Sequence, residues 1–244
     1  MPTVQRVTGN LITPILRLSY CSLFSPRLGK DAKPGDRARY ETTGLILPKE
    51  QLSPVDQTRL NAMLLAGIEV GQNSELGKDR FDAMVREGKI KILRQDIESS
   101  GHPPEFKYFF RAWTYGVGAK AAAGGLPAAP GLPPGIVSEY PDATGKATPV
   151  TDPNKVYSGC WARLSVRPYY SNFEKKNPAI SWQLVNVQIL AKPPAGHTND
   201  RLDGRVDARD EFDATEEMQM AELESGSGSS VGTDTDELAK LLGG

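Results

Sequence analysis

The chain of 244 residues has only two histidines, His102 and His197, and only two cysteines, Cys21 and Cys160. Both histidines lie in stretches rich in proline and glycine, and neither has the spacing of a metal-binding pair. The two cysteines are far apart in the chain, which argues against a thiolate metal site or a disulfide scaffold. We therefore expect no catalytic residues, no metal and no cofactor, and we expect that the protein is not an enzyme.

Long apolar segments are also missing. No uninterrupted apolar run approaches the about 20 residues that a membrane-spanning helix needs. The first residues, MPTVQRVTGN, lack the charged and then apolar pattern of a signal peptide. The sequence therefore predicts no membrane partner.

Charge is divided unevenly along the chain, although the formal net charge is only -1. Residues 207–244 contain eleven acidic and two basic residues, which gives this stretch a charge of -9. The remaining 206 residues carry a charge of +8. A basic body with an acidic tail is typical of proteins that bind nucleic acid. The alternative at this point is an ordinary domain with an ordinary disordered tail.

The distribution of apolar residues predicts a mainly β fold. Ser53 and Pro54 provide the start of a helix, and a second, weaker helix is predicted over residues 78–87. Together these elements predict an OB-like five-stranded barrel with one or two inserted helices, long loops and a disordered acidic C-terminal tail. The five predicted strands are residues 14–20, 39–47, 105–115, 155–170 and 179–190.

Two domains of different character follow from this pattern. Residues 1–206 are predicted to form the folded domain, and residues 207–244 are predicted to form a flexible acidic tail. Within the domain, residues 116–154 contain many prolines, glycines and alanines, and we expect them to be mostly a mobile loop.

Two predicted strands pair an apolar face with a face that mixes aromatic and cationic side chains. Bases of single-stranded nucleic acid stack on aromatic rings for about 1–3 kcal/mol each, while arginine and lysine follow the phosphates. This face therefore predicts a nucleic-acid-binding surface, to which a lysine pair in the next turn is added. The predicted contacts are Lys107, Phe109, Arg111, Trp113, Tyr115, Tyr157, Trp161, Arg163, Arg167, Tyr169, Lys175 and Lys176.

The alternative is that this mixed face is the protein core, with the cationic groups reaching solvent on their long stems. Unpaired buried charges are costly, which favours an exposed face. Tyr20 and Trp182 are predicted to be core residues. Arg39 and Tyr40 either join the exposed face or cap a sheet edge.

Three segments, TPILRLSYCSLFSPR, KVYSGCWARLSVRPYY and ISWQLVNVQIL followed by DEFDA, resemble a family of bacteriophage single-stranded DNA-binding proteins. The VYSGC segment with the aromatic residue after it is the most specific of them. The resemblance spans most of residues 13–213 by the order and spacing of its elements. It implies an OB fold, DNA held in a basic aromatic groove, and an acidic C-terminal tail that contacts replication proteins.

The function that the resemblance implies is coating and protection of single-stranded DNA during phage DNA replication, recombination and repair, in the cytoplasm of the infected bacterial host. The implied protein partners are replication proteins such as polymerase, helicase or primase, and a homodimer is left open. This tail ends in LAKLLGG, whereas tails of the family often end in an aromatic residue. The residues predicted to contact a partner are Asp234, Asp236, Glu237, Leu238, Leu241 and Leu242.

The main alternative function is a protein-interaction or virion-structural module that uses the aromatic face as an interface. A nuclease would need a carboxylate cluster in the body of the protein, but the densest cluster lies in the tail. The sequence does not distinguish DNA from RNA, and it leaves a strand-annealing activity open.

Overall fold

The computed structural model describes residues 9–28, 37–115, 133–173 and 177–202. This part of the chain is mainly β, with eight strands and two α-helices. The strands are β1 (Leu11–Ile12), β2 (Leu16–Arg27), β3 (Arg39–Ile46), β4 (Tyr108–Tyr115), β5 (Gly135–Pro141), β6 (Ala147–Pro149), β7 (Trp161–Phe173) and β8 (Asn177–Ile189), and the helices are α1 (Pro54–Gln72) and α2 (Lys78–Arg86).

Five of the strands close into a ring. Around the ring, β7 pairs with β2, β2 with β3, β3 with β4, β4 with β8, and β8 pairs again with β7. All of these pairings are antiparallel except that of β4 with β8, which is parallel. The ring is an OB-like barrel, and its five strands correspond to the five strands predicted from the sequence.

The predicted loop over residues 116–154 is wrong for the residues of it that the structure describes. Residues 133–154 contain β5 and β6, because β5 adds to the edge of β8 with Ile136 beside Val187. Strand β6 pairs with β5 and forms the edge of the sheet, where Pro149 is tolerated because an edge strand has backbone N–H groups that need no partner in the sheet. Residues 116–132 and the predicted tail, 207–244, lie outside the described residues.

Helix α1 begins as the sequence predicts. The Ser53 side chain accepts a hydrogen bond from the backbone N–H of Asp56 at 3.1 Å, and Pro54 occupies the first helical position. Helix α2 packs against α1 at Gly71, where a Cβ atom would lie 2.0 Å from the ring of Phe81. The absence of a side chain at Gly71 therefore allows the two helices to approach each other closely.

The barrel interior is filled by one face of each strand. Along β7 the alternating side chains of Ala162, Leu164 and Val166 are fully buried, as the period of two predicts. Trp182 of β8 is buried among them, as predicted, and its indole N–H donates to the Ile92 carbonyl at 3.3 Å. None of the helices in the described part of the chain has the length and apolar character needed to cross a membrane.

The last described residues form a C-terminal strap, residues 197–202, which lies against the VYSGCW segment. The indole N–H of Trp161 donates to the Thr198 carbonyl at 2.8 Å. The hydroxyl of Tyr157 donates to the Asn199 carbonyl at 3.0 Å. The two aromatic side chains of the segment are therefore used to hold the strap.

The backbone of the VYSGCW segment and a buried arginine complete this attachment. Arg17 donates to the carbonyls of Gly159 and Asp200, at 3.0 and 2.6 Å. The Leu202 N–H donates to the Ser158 carbonyl at 2.7 Å. Because hydrogen bonds to a charged donor are stronger than neutral ones, Arg17 fixes the strap to β2.

Replacing Gly159 with alanine should destabilise the protein. The φ angle of Gly159 is +123°, and an added Cβ atom would lie 2.2 Å from the Asp200 carbonyl oxygen. We expect Gly159→Ala to lower the free energy of unfolding by about 3 kcal/mol, through backbone strain and loss of the strap contact. Thermal denaturation followed by circular dichroism measures this.

Gly145→Ala is the matched control for this substitution. Gly145 also has a positive φ, of +79°, but an added Cβ atom there would have no neighbour within 4 Å. We expect this control to cost about 1 kcal/mol, the ordinary penalty of a left-handed backbone. Equal losses for the two variants would contradict a specific contact between Gly159 and the strap.

Candidate nucleic-acid interface

Three aromatic rings from two strands meet on the outer face of the barrel. Trp113 packs edge to face with Tyr115 at a centroid distance of 4.9 Å and with Tyr169 at 6.0 Å. All three are half-buried, so part of each ring reaches solvent. Burial raises the pKa of the Tyr169 phenol, against the opposing effect of its hydrogen bond with Ser181, so the hydroxyl stays neutral.

Two arginines at the start of β3 lie over these rings. The Arg39 guanidinium carbon is 4.6 Å from the Trp113 ring centroid and 5.7 Å from that of Tyr115. The Arg37 guanidinium carbon is 5.2 Å from the Tyr115 ring centroid. Cation–π attraction holds these positive groups beside the rings. The site therefore combines flat apolar surface with fixed positive charge.

The strand register extends this surface across the barrel. Trp113 is the Cα partner of Gln183 in β8, and Gln183 is the partner of Arg167 in β7. On the other side, Trp113 is paired with Glu41 of β3, which places one carboxylate on this surface. Arg111 is exposed two residues before Trp113 and so lies on the same side of β4. The aromatic face, as we name it, consists of Arg37, Arg39, Arg111, Trp113, Tyr115, Arg167 and Tyr169.

Two predicted contacts, Phe109 and Trp161, are buried, and their predicted placement on the open face is wrong. Trp161 is 0% exposed because the strap covers it, with His197 at a ring-centroid distance of 5.2 Å. Phe109 is covered by His102, 4.7 Å away, and by the guanidinium of Arg94 at 4.8 Å. Side chains of the face are thus buried at one end by chain segments that lie outside the strands.

Arg163 and Tyr157 also have structural contacts instead of open surface. A side-chain nitrogen of Arg163 lies 3.6 Å from a carboxylate oxygen of Asp56, at the buried start of α1. The same oxygen accepts a hydrogen bond from the Ile15 N–H at 3.2 Å, so Asp56 links the start of α1 to β7 and to the residue before β2. Tyr157 is half-buried beneath Arg201, whose guanidinium carbon is 4.9 Å from the ring centroid. Neither side chain lies beside Trp113.

The remaining predicted contacts divide into three groups. Lys107 is exposed just before β4, beyond the buried Phe109. Lys175 and Lys176 lie outside the described residues, as do the predicted partner-binding residues Asp234, Asp236, Glu237, Leu238, Leu241 and Leu242. Arg111, Trp113, Tyr115, Arg167 and Tyr169 are the predicted residues that the structure brings together on the aromatic face.

Sequence reasoning missed Arg37 and misplaced Tyr20. The arginine stands at the end of a turn-rich stretch where no strand pattern connects it with β4. The apolar strand around Tyr20 predicts that it is a core residue, but 62% of its surface is exposed. Its backbone has a φ of +51°, a conformation that turns the side chain away from the alternation of β2.

His102 lies between Tyr20 and Phe109 at the covered end of the face. Its ring is 5.8 Å from that of Tyr20 and 4.7 Å from that of Phe109. Burial lowers the pKa of His102, the positive charges of Arg94 and Arg111 lower it further, and Asp96 opposes them weakly. The imidazole is therefore neutral at pH 7, and it serves as an aromatic spacer between the two rings.

Groups suited to metal binding do not assemble within the described ranges. Histidine, cysteine and carboxylate side chains nowhere come together there in a group of three that would hold a metal ion. Burial raises the pKa of the Cys160 thiol to about 11, which makes it a poor nucleophile at neutral pH.

A known protein family matches part of the chain. The family described as "Enterobacter phage Enc34, ssDNA-binding protein" matches residues 129–222, which include β5–β8 and the strap. The resemblance predicted from the motifs is confirmed. No curated protein sequence matches the chain.

Three solved structures can be aligned with this chain. The single-stranded DNA-binding protein from bacteriophage Enc34 in complex with ssDNA is 17% identical, with a TM-score of 0.50, over 78% of this chain and 90% of that chain. Its C-terminal truncation is 16% identical, with a TM-score of 0.47, over 78% and 89%. The gp2.5 single-stranded DNA-binding protein of bacteriophage T7 is 11% identical, with a TM-score of 0.43, over 84% and 97%. The likeness to the first of these supports the OB-type fold.

The position of His102 predicts a loss of stability in mild acid. Its pKa is lower in the folded than in the unfolded chain, where it is about 6.5, so the unfolded chain binds more protons below that pH. The stability that neutral His102 contributes is therefore complete above about pH 6.5 and is lost as the pH falls towards its pKa in the folded chain. We expect the melting temperature of the wild type to fall between about pH 7.5 and about pH 5.5.

His102→Phe is the variant that isolates this effect, because it keeps a ring beside Phe109 and removes the titrating nitrogen. We expect its melting temperature to change less over the same pH range. Titration of Asp96 does not affect the comparison, because its hydrogen bond with Arg94 holds its pKa well below the usual range. The same fall in both proteins would show that protonation of His102 does not limit stability.

Proposed function

We propose that the protein binds single-stranded DNA without catalysing a reaction, through the aromatic face. The observation that carries this proposal is the cluster of Trp113, Tyr115 and Tyr169 with Arg39 held 4.6 Å above the indole. Exposed aromatic surface lowers solubility, so a half-exposed cluster of rings flanked by arginines indicates a binding surface. Bases stack on such rings, and the arginines neutralise the phosphates between them.

Binding of this kind is largely independent of base sequence, because every base has a flat face that stacks. It depends on salt, because each neutralised phosphate releases counterions. For single strands the logarithm of the binding constant falls with the logarithm of the salt concentration by about 0.7 per phosphate contact. Arg37, Arg39, Arg111 and Arg167 are the cations placed to make such contacts. The protein would coat exposed strands with little preference among sequences.

The comparisons support the choice of single-stranded DNA over other ligands. The matching family is described as an ssDNA-binding protein of a phage, and the Enc34 structure of similar fold was solved with ssDNA. We accordingly propose a role in phage DNA replication, recombination or repair, in the cytoplasm of the infected bacterial host.

Removal of the central ring should weaken DNA binding. We expect Trp113→Ala to lower the affinity for labelled oligo-dT about ten-fold or more, because it removes one stacking surface and the partner of Arg39. Fluorescence anisotropy at low salt measures the affinity. Since Trp161 and Trp182 are buried, DNA should also quench the tryptophan fluorescence of the wild type through Trp113 alone.

Tyr140→Ala is the matched control, because Tyr140 is 56% exposed but lies away from the aromatic face. It lies two residues beyond Ser138, which pairs with Ile189, and Ile189 is six positions along β8 from Gln183, or about 20 Å. We expect its affinity to equal that of the wild type. If the wild type does not bind oligo-dT at low salt, the proposal fails, and the aromatic face is better explained as a protein-interaction or virion-structural interface.

We further propose that residues 207–244 act as a flexible acidic tail on a folded domain of residues 1–206. Their charge of -9 opposes the +8 of the rest of the chain. An acidic segment can compete with DNA for a basic surface when no strand is bound. The same tail would recruit replication proteins through Asp234, Asp236, Glu237, Leu238, Leu241 and Leu242.

Deletion of residues 207–244 should tighten the binding of oligo-dT at low salt and have less effect at high salt, because screening weakens the competition. Titration of labelled oligo-dT with the full chain and with the shortened chain at both salt concentrations measures this. A tail of the same length with its acidic residues replaced by Asn and Gln separates charge from bulk. If the deletion leaves the affinity unchanged at low salt, the tail does not compete with DNA.

A further inference from the structure

Strand β2 is interrupted by a bulge that contains Tyr20. Ser19 pairs with Thr43 and Ser22 pairs with Glu41, so β2 has one more residue than β3 between these pairs. Tyr20 takes up the extra length with a φ of +51°. This conformation costs a bulky residue about 1–2 kcal/mol and costs glycine nothing. A tyrosine is therefore a poor choice for this position if folding alone is considered.

The Tyr20 ring gains little burial in return for this backbone conformation. It is 62% exposed, which makes it an outlier among the aromatic side chains that the structure describes in the barrel strands. Its ring-centroid contact is with His102, at 5.8 Å and an angle of 60°. His102 is itself buried against Phe109, so the tyrosine ring packs on an imidazole that is held in place. A large ring that is supported on one side and open to solvent on the other offers a flat surface to a ligand.

Tyr20 lies on the same side of the sheet as the aromatic face. His102 covers Phe109, whose side chain lies on the same side of β4 as Arg111 and Trp113 by alternation. The register joins Ser19, Thr43 and Arg111 in one row across β2, β3 and β4. Two strand spacings of about 4.8 Å place the bulge about 10 Å from β4. That span is about three nucleotides at the spacing of about 3.4 Å along one strand of DNA.

We propose that Tyr20 is a second stacking site, which receives an unpaired base of the same single strand that occupies the Trp113 cluster. Arg111, exposed between the two sites, neutralises the phosphates that connect them. This inference rests on the proposed function, since it assigns a further binding residue for the same ligand. It predicts that the bound DNA strand runs across β4, β3 and β2 instead of along β4 alone.

Tyr20→Gly is the deciding variant, because binding is expected to weaken while stability is not lost. Glycine relieves the strained backbone, so the melting temperature should stay the same or rise. The affinity for an oligo-dT of about 16 nucleotides should fall about ten-fold at low salt, the effect of losing one stacked base. Tyr20→Phe keeps the ring and should bind like the wild type, and Tyr140→Ala again controls for the loss of an exposed tyrosine.

The outcomes separate this inference from the function on which it rests. If Tyr20→Gly binds like the wild type while Trp113→Ala binds weakly, the second site is wrong and the proposed function stands. If the wild type itself does not bind the oligonucleotide, the proposed function fails and this inference fails with it. If Tyr20→Gly loses melting temperature together with affinity, the ring serves packing and the inference is overturned. Photo-crosslinking of an iodouridine-substituted oligonucleotide to Tyr20 would support the stacking directly.

Discussion

The antiparallel ladder between β7 and β8 closes the barrel, and the position of the aromatic face depends on it. Because β8 pairs with β7 on one side and with β4 on the other, it brings Tyr169 and Arg167 beside Trp113. These residues are far apart in the chain and would not meet in an open sheet. The hydrogen bonds of this ladder therefore convert two separate mixed strands into one continuous surface.

Attachment of the strap explains why the most specific motif of the sequence is structural. The VYSGCW segment combines a buried tryptophan, a tyrosine hydroxyl and a glycine with no room for a side chain, and each of them contacts residues 198–202. Buried hydrogen-bonding groups need partners in fixed positions, and so they constrain the sequence as strongly as a ligand does. The aromatic residues of such a motif need not be the ones that contact a ligand.

Side chains of the mixed face differ in how deeply they are buried, and strand alternation does not predict which of them are covered. Phe109 and Trp161 have the same strand periodicity as Trp113 and Tyr169, but His102 and the strap cover them. Alternation on the mixed face predicts that Arg163 contacts phosphate, but its partner in the structure is Asp56 at the start of α1. Tyr20 shows the reverse, since a bulge exposes a ring that an apolar strand pattern assigns to the core.

Local chemistry in the sequence determined the five barrel strands, the start of α1 at Ser53 and the face of β4 that carries Arg111, Trp113 and Tyr115. These features depend on alternation and capping, which involve neighbours within a few residues. Only the tertiary structure decided which aromatic rings stay open, which arginines are paired, and that β5 and β6 form in a region rich in proline and glycine. Those outcomes depend on segments distant in the chain, because a side chain is covered by whatever the fold packs against it.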